Sequence, residues 1–291
     1  MAKLKADEIV SELITQLEKG KVKEFEFPWC GHIGRPKCAS TKAYYNGGNA
    51  IWLSFKRHIM NYSCNLWGTM NQWNKIGGKV KKGETAGTQQ IIKPMFQTIE
   101  DEHGKEQQII TQFYAYYVYN IDQEDGVKRE EEKPAQKIDE IKEADKYIAS
   151  SKINIKYSDQ PRAYYSPDGD YCHLPFKDTF KHTHGFYSTL FHEVVHATGH
   201  KSRLDRKGIT ETFKRDEDYA LEELIAELGA ALLCSKFDMY MHKREDHLSY
   251  LDSWIKILKE KPTILWTASK QAQESIDWLD FFSTKYIKEN T

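Results

Sequence analysis

The run Phe191-His192-Glu193-Val194-Val195-His196 places two imidazoles four residues apart. On a helix, positions i and i+4 project from one face, so His192 and His196 can share a Zn²⁺ ion, with Mn²⁺ the other divalent metal to consider. Glu193 adjoins the first ligand. It is the candidate catalytic base, a carboxylate able to take a proton from a water that the metal has made more acidic. The preceding Tyr187-Ser188-Thr189-Leu190-Phe191 is apolar on one side and predicts the helix that the spacing needs. A chance HExxH arises on the order of once per hundred chains of this length, so a metal reading also requires a third ligand.

Tyr219 to Ala231 reads as a second, well-buried helix. Carboxylates set among Ala, Leu and Ile want a partner, because an unpaired buried charge is costly. Glu223 and Glu227 are i and i+4 on one face, so one can bind the metal while the other holds a ligand imidazole. The Gly-x-x-His extension of the longer HExxHxxGxxH motif is absent. The arrangement resembles the thermolysin-like class, in which a ligand Glu and a carboxylate four residues later follow HExxH on another helix. That resemblance implies Glu223 as ligand and Glu227 as outer carboxylate or alternative ligand, since the later residue here is Glu rather than Asp. Glu222, one position off that face, reads as a structural hydrogen-bonding group. His200 follows His196 by four, but Gly199 ends the helix first, so His200 reads as a cap or outer support before it reads as an alternative ligand. His182 and His184 fall in the loop before the helix and read as exposed, with transition-state stabilisation the sharper alternative. Lys201 to Arg206 reads as a solvated connector.

The five cysteines include no CxxC, and Cys30, His32, Cys38 and Cys64 match no standard zinc spacing. Isolated reduced thiols are expected, and a cytoplasmic protein with them. No apolar run reaches 18 residues and the N-terminus lacks the apolar core of a secretory signal, so no membrane partner is expected.

The whole chain of 291 residues has a formal net charge of −1, which hides a split. Between residues 28 and 99 ten Lys or Arg stand against the single acid Glu84, a balance of +9. Trp29, Tyr44, Tyr45, Trp52, Trp67 and Trp73 are interleaved with them. Cations that follow phosphates, with aromatic faces on which bases stack, are the ingredients of single-stranded DNA binding without sequence preference. The candidate contacts are Lys42, Tyr44, Tyr45, Asn46, Asn49, Trp67, Gln72, Lys75, Lys79, Lys81 and Lys82, although tryptophans, Trp52 and Trp67 above all, belong more often to cores. Residues 122–145 carry ten acids against five bases, with Pro134, and read as the linker.

The expected fold class is α+β in two domains: residues 1–130 mixed and DNA-binding, 131–140 the linker, and 141–291 mostly helical with a small antiparallel sheet. In the first domain, residues 4–19 read as an amphipathic helix, Tyr44 to Asn49 as a turn-rich stretch, and Gln107 to Asn120 as a strand. In the second, Lys152 to Lys156 reads as a strand, Arg162 to Leu174 as a hairpin turning at Pro167-Asp168-Gly169, and the rest as helix with breaks near Gly199–Gly208 and Lys261-Pro262.

Pro28-Trp29, Tyr45-Asn46-Gly47-Gly48-Asn49, Trp67 to Gln72, Gly77 to Glu84 and Val118 to Gln123 resemble the N-terminal single-stranded-DNA-binding domain of ArdC-type antirestriction proteins, a region shared by plasmid primases of the TraC type. Thr189 to His200, Ser202 to Arg206 and Tyr219 to Leu228 resemble its usual partner, the zincin-like metallopeptidase domain of polyvalent phage and plasmid proteins. The doubled Gly47-Gly48 departs from an expected single glycine, and Ala197 stands where a Trp is expected. The resemblance implies a mobile-element or phage protein that escorts entering single-stranded DNA past host restriction, with a host restriction or defence protein as a peptidase substrate. Two other readings stand beside it: a non-catalytic DNA-binding protein with a structural metal, and a peptidase whose basic domain recruits an acidic protein.

Overall fold

The computed structural model describes residues 2–19, 35–87, 89–100, 106–128, 139–180, 183–210, 216–237, 239 and 247–290. Apolar residues three and four apart wind Ala2–Lys19 into helix α1, which buries Ile9, Val10 and Leu13. Strand β1 (Lys37–Cys38) precedes α2 (Gly47–Ile59), then come β2 (Leu66–Gly68), α3 (Met70–Lys75), β3 (Lys79–Val80), β4 (Gln90–Glu100), β5 (Glu106–Tyr117), β6 (Tyr119–Asn120) and β7 (Glu124–Asp125). β1 runs parallel to β2, and β6 antiparallel to it on the other side. β4 and β5 form a long antiparallel ribbon with a register shift at Met95/Phe96.

The second half opens with α4 (Asp139–Ser150), then β8 (Asn154–Ser158), β9 (Tyr164–Ser166) and β10 (Tyr171–Pro175). The expected hairpin is present as β9 and β10, and β8 adds parallel to β10, giving the order β8-β10-β9. Helices α5 (Thr183–Thr198), α6 (Lys207–Thr210), α7 (Asp216–Lys236), α8 (His247–Glu260) and α9 (Ile264–Asn290) follow; the breaks near Gly199–Gly208 and Lys261-Pro262 are where expected, and the end of α7 at Lys236, with no glycine or proline after it, is a further one. Among the described residues no helix is long and apolar enough to cross a membrane.

Two sequence expectations are corrected. The stretch from Tyr44 to Asn49 is not all turn: Gly47 takes φ +51 and starts α2. A Cβ on Gly48 would meet the Trp266 ring at 2.5 Å, and the Gly47 N–H donates to Gln273 Oε1 at 3.0 Å. The doubled glycine is therefore a turn plus a close approach to α9. His184 lies in the first turn of α5 rather than in a loop, while His182 falls outside the described residues, as do Trp29, Cys30, His32 and Pro134. Among the described residues Cys38, Cys172 and Cys234 are buried cysteines outside any disulfide.

The hydrophobic core is shared by elements of both halves. α1 packs on β5 and α8, and α2 packs on α9. One buried cluster runs from Ile9, Trp52, Phe55 and Trp67 through Leu190, Phe191 and Leu224 to Leu265 and Leu279. The face that holds chemistry lies where α5 meets α7. A Cβ on Gly229 would come within 2.7 Å of Val195 Cγ2, so this glycine lets the two helices approach closely enough for their polar side chains to meet.

Candidate functional site

From Phe186 to Thr198 every residue of α5 is buried, so its polar side chains must find partners within the helix or on neighbouring elements. The structure brings together His192 and His196 of α5 and Glu223 of α7, all buried. His192 Nε2 and His196 Nε2 are 3.1 Å apart. Glu223 Oε2 lies 3.4 Å from the first and its Oε1 3.5 Å from the second. Donor atoms about 2.0–2.1 Å from a tetrahedral zinc stand about 3.3–3.4 Å apart, so the trio has the edges of a metal's coordination tetrahedron.

Each imidazole turns its other nitrogen to a carboxylate. His196 Nδ1 lies 3.1 Å from Glu222 Oε1, and His192 Nδ1 lies 3.7 Å from Glu227 Oε2. The first is a hydrogen bond that fixes the tautomer aiming Nε2 of His196 inward; the second is longer than a hydrogen bond and places a carboxylate beside His192 without one. Burial alone would strip His196 of its proton, yet the carboxylates of Glu222 and Glu223 outweigh it and lift the imidazole up to about 10. Despite burial, hydrogen bonds from His192 and His196 hold Glu223 well below the usual carboxylate range. Glu193, Glu222, Glu223 and Glu227 are all buried, and Arg206 is the buried guanidinium among them. A set this rich in carboxylates calls for a cation between the imidazoles, and its nitrogen and oxygen donors suit zinc or manganese. The residues therefore fit a divalent metal.

Arg206 corrects the reading of residues 201–206 as a solvated connector. It is 7% exposed. Its guanidinium donates to Glu222 Oε1 at 2.6 Å and Oε2 at 3.0 Å, and to Val195 O, Thr198 Oγ1 and Ser275 Oγ. It thus clamps α5, α7 and α9 together and orients the carboxylate that holds His196. A Cβ on Gly199 would sit 2.8 Å from this guanidinium, which is why the helix ends on glycine there. Arg206→Met is expected to weaken Zn²⁺ binding about 10–100-fold, read by competition with a chromophoric chelator; unchanged affinity would remove Arg206 from the support of the site.

His200 is not brought to the trio. Its Nδ1 engages Ser202 Oγ at 2.8 Å and lies 3.7 Å from Asp170 Oδ2. Asp170 is also bound by Arg203 and by Tyr165 Oη at 2.9 Å, and Arg203 Nε donates to Ala197 O at 2.7 Å. This cluster ties the β9–β10 turn to the end of α5. Cys172 of β10 donates its thiol to the Glu193 carbonyl at 3.3 Å, so the sheet docks on the helix beside the base candidate. Ala197, where a Trp was expected, is fully buried.

In the first half, Lys42, Lys75, Lys79 and Lys82 are exposed, and Tyr44 is 55% exposed with the Arg35 and Lys37 cations 5.5 and 5.6 Å from its ring. Other candidates are spent on structure. Trp67 is 0% exposed and packs edge-on against Tyr62, so it is core and no stacking surface. The Asn49 amide is used on the backbone of Ile92, and Gln72 closes the capping box of α3 with Thr69. Lys81 donates to Asp122 O, Asn46 accepts from Arg35, and Tyr45 is half-buried against the core. Tryptophans, amides and lysines look alike in sequence whether they face a ligand or a neighbouring strand.

A buried HExxH helix, a carboxylate ligand candidate on the next long helix and a three-stranded sheet laid against the first define the zincin class. The family model described as a zincin-like metallopeptidase matches residues 142–271, and the model described as the N-terminal domain of anti-restriction factor ArdC matches residues 4–140. The chain belongs to the ArdC family of antirestriction proteins, as an α+β, two-domain member. Crystal structures of antirestriction protein ArdC from plasmid R388 are 31% identical with TM-score 0.77 in metal-free form, and 32% identical with TM-score 0.75 in Mn(II)-bound form. They cover 96% of this chain, which in turn covers 98% and 97% of theirs. The uncharacterized protein y4eC of Sinorhizobium fredii is 31% identical over 94% of this chain and 90% of its own. Two Escherichia coli proteins named DNA primase TraC are 32% and 30% identical, and this chain spans 28% and 20% of their lengths.

Proposed function

We propose that this antirestriction protein binds single-stranded DNA through the basic, aromatic face of its first half, roughly residues 1–130, and is a metal-dependent peptidase through its second, roughly 141–291. A host restriction or defence protein is the proposed substrate. The observation that carries the peptidase reading is the spacing of His192, His196 and Glu223, with Glu193 adjoining. These three residues would hold the metal, which when bound supplies Lewis acidity toward water and a peptide carbonyl. Glu193 takes a proton from the attacking water and returns it to the leaving amine. Glu222 holds His196 in the tautomer that faces the metal, and Glu227 is the carboxylate beside the other nitrogen of His192. Strand β9 is an edge of its sheet among the described residues, and its outer backbone can pair with an extended peptide. Among the described residues three protein donors cluster, one fewer than a closed structural zinc site uses, which favours the catalytic reading.

The DNA reading rests on the +9 block, on the lysines that stay exposed and on relatives named as DNA primases. Its test is fluorescence titration of a labelled single-stranded oligonucleotide with the full chain, since the core spans both halves. A single-strand competitor is expected to displace the label far better than the duplex, and equal displacement would remove the reading.

A further inference from the structure

The β4–β5 ribbon carries residues that the site described above does not use. Strand alternation puts Lys93 and Met95 of β4 on one face with Tyr114 and Tyr116 of β5. Tyr114 is 43% and Tyr116 45% exposed, on a strand whose β-branched and aromatic content would ordinarily predict burial. The register sets Lys93 directly across from Tyr114, and Ile91 across from Tyr116. The side chain of Lys93 is exposed too, and no acidic side chain is described on this face.

Same-face neighbours on a strand stand about 6.6–6.8 Å apart, roughly twice the 3.4 Å rise of stacked bases. Two tyrosines at that spacing leave room for one base plane between their rings, with the Lys93 ammonium beside it for the adjoining phosphate. Asn49 holds the outer edge of β4 from both sides, donating to Ile92 O at 2.8 Å and accepting from Ile92 N–H at 2.7 Å. That fastens β4 to the first turn of α2, five residues after Tyr44, whose ring has the Arg35 and Lys37 cations 5.5 and 5.6 Å from its centroid.

We infer that Tyr114, Tyr116 and Lys93 form a stacking platform for single-stranded nucleic acid, the strand passing from this ribbon to the Tyr44 segment. The inference rests on the DNA-binding reading and adds to it the place where bases are held. Positive charge with paired rings fits a polyanion with π-faces, and base–aromatic stacking needs no particular sequence.

The test uses the full chain and a labelled thymine oligonucleotide, with melting curves to verify that the exposed substitutions leave the fold intact. The double variant Y114A/Y116A is expected to lose about 10–100-fold in affinity with the salt slope unchanged, since it removes stacking and no charge. Y114F/Y116F, which keeps both rings, should bind within about threefold of the parent. Lys93→Ala should reduce the salt slope by about 0.7, the contribution of one single-strand phosphate contact. Binding by Y114A/Y116A equal to that of the parent would overturn the platform while leaving the DNA reading in place. A loss as large in Y114F/Y116F as in the alanine variant would also overturn it. A parent protein that binds no single strand would end both.

Discussion

Glu193→Gln is expected to keep the metal and lose the chemistry. The substitution preserves volume and a hydrogen-bonding carbonyl, and it leaves the His192, His196 and Glu223 donors untouched. Zn²⁺ affinity should therefore stay within about threefold of the parent, since only a flanking charge changes. What disappears is the group that can carry a proton. General-base catalysis contributes about 10²–10⁴ in rate, so cleavage of denatured casein or a quenched fluorescent peptide mixture should fall by that factor. Cleavage at the parental rate would place the base elsewhere. Loss of the metal together with activity would mean that Glu193 helps build the site rather than acting on substrate.

The second large effect is the salt dependence of DNA binding. Lys42, Lys75, Lys79, Lys82 and Lys93 are exposed, whereas Lys81 is partly spent on Asp122. Five cations at about 0.7 each give a log–log slope near −3.5 for a single strand. Raising salt from 50 to 200 mM should then weaken binding about a hundredfold, read by anisotropy of a labelled oligonucleotide. A slope near zero would show that the basic block meets something other than phosphate.

The parts of this molecule that the sequence made legible are those written locally. HExxH is a statement about one helix face, and the buried ExxxE pair about another, so the ligand candidates could be named before any contact was known. The β9–β10 hairpin was readable because Pro167-Asp168-Gly169 is turn chemistry, and two breaks of the helical second half because they carry glycine and proline; the break after Lys236 carries neither. What was not legible depends on how elements rotate and approach. Glu222 looked off the face, yet the close α5–α7 contact at Gly229 brings it to His196 Nδ1. Arg206 sits in a run of charges that reads as solvated, and only the tertiary fold shows it reaching Glu222, Val195, Thr198 and Ser275.

Residue type located the aromatics in their elements but not the side each ring faces. Trp67, open in the sequence between a DNA contact and the core, is core, while Tyr114 and Tyr116 lie in the expected strand but stand in solvent. Nothing in residue type separates a ring that stacks on a base from one that fills a cavity; only the neighbours of each strand decide. Likewise the doubled glycine gained its reason only when Trp266, more than two hundred residues away in sequence, was found against Gly48.

X-ray absorption at the zinc edge of the loaded, full-length protein tests the three-ligand centre most directly. The geometry predicts two imidazoles, one carboxylate and one oxygen from solvent, at about 2.0–2.1 Å. A shell closed by four protein donors, or one containing sulfur or a third imidazole, would contradict it.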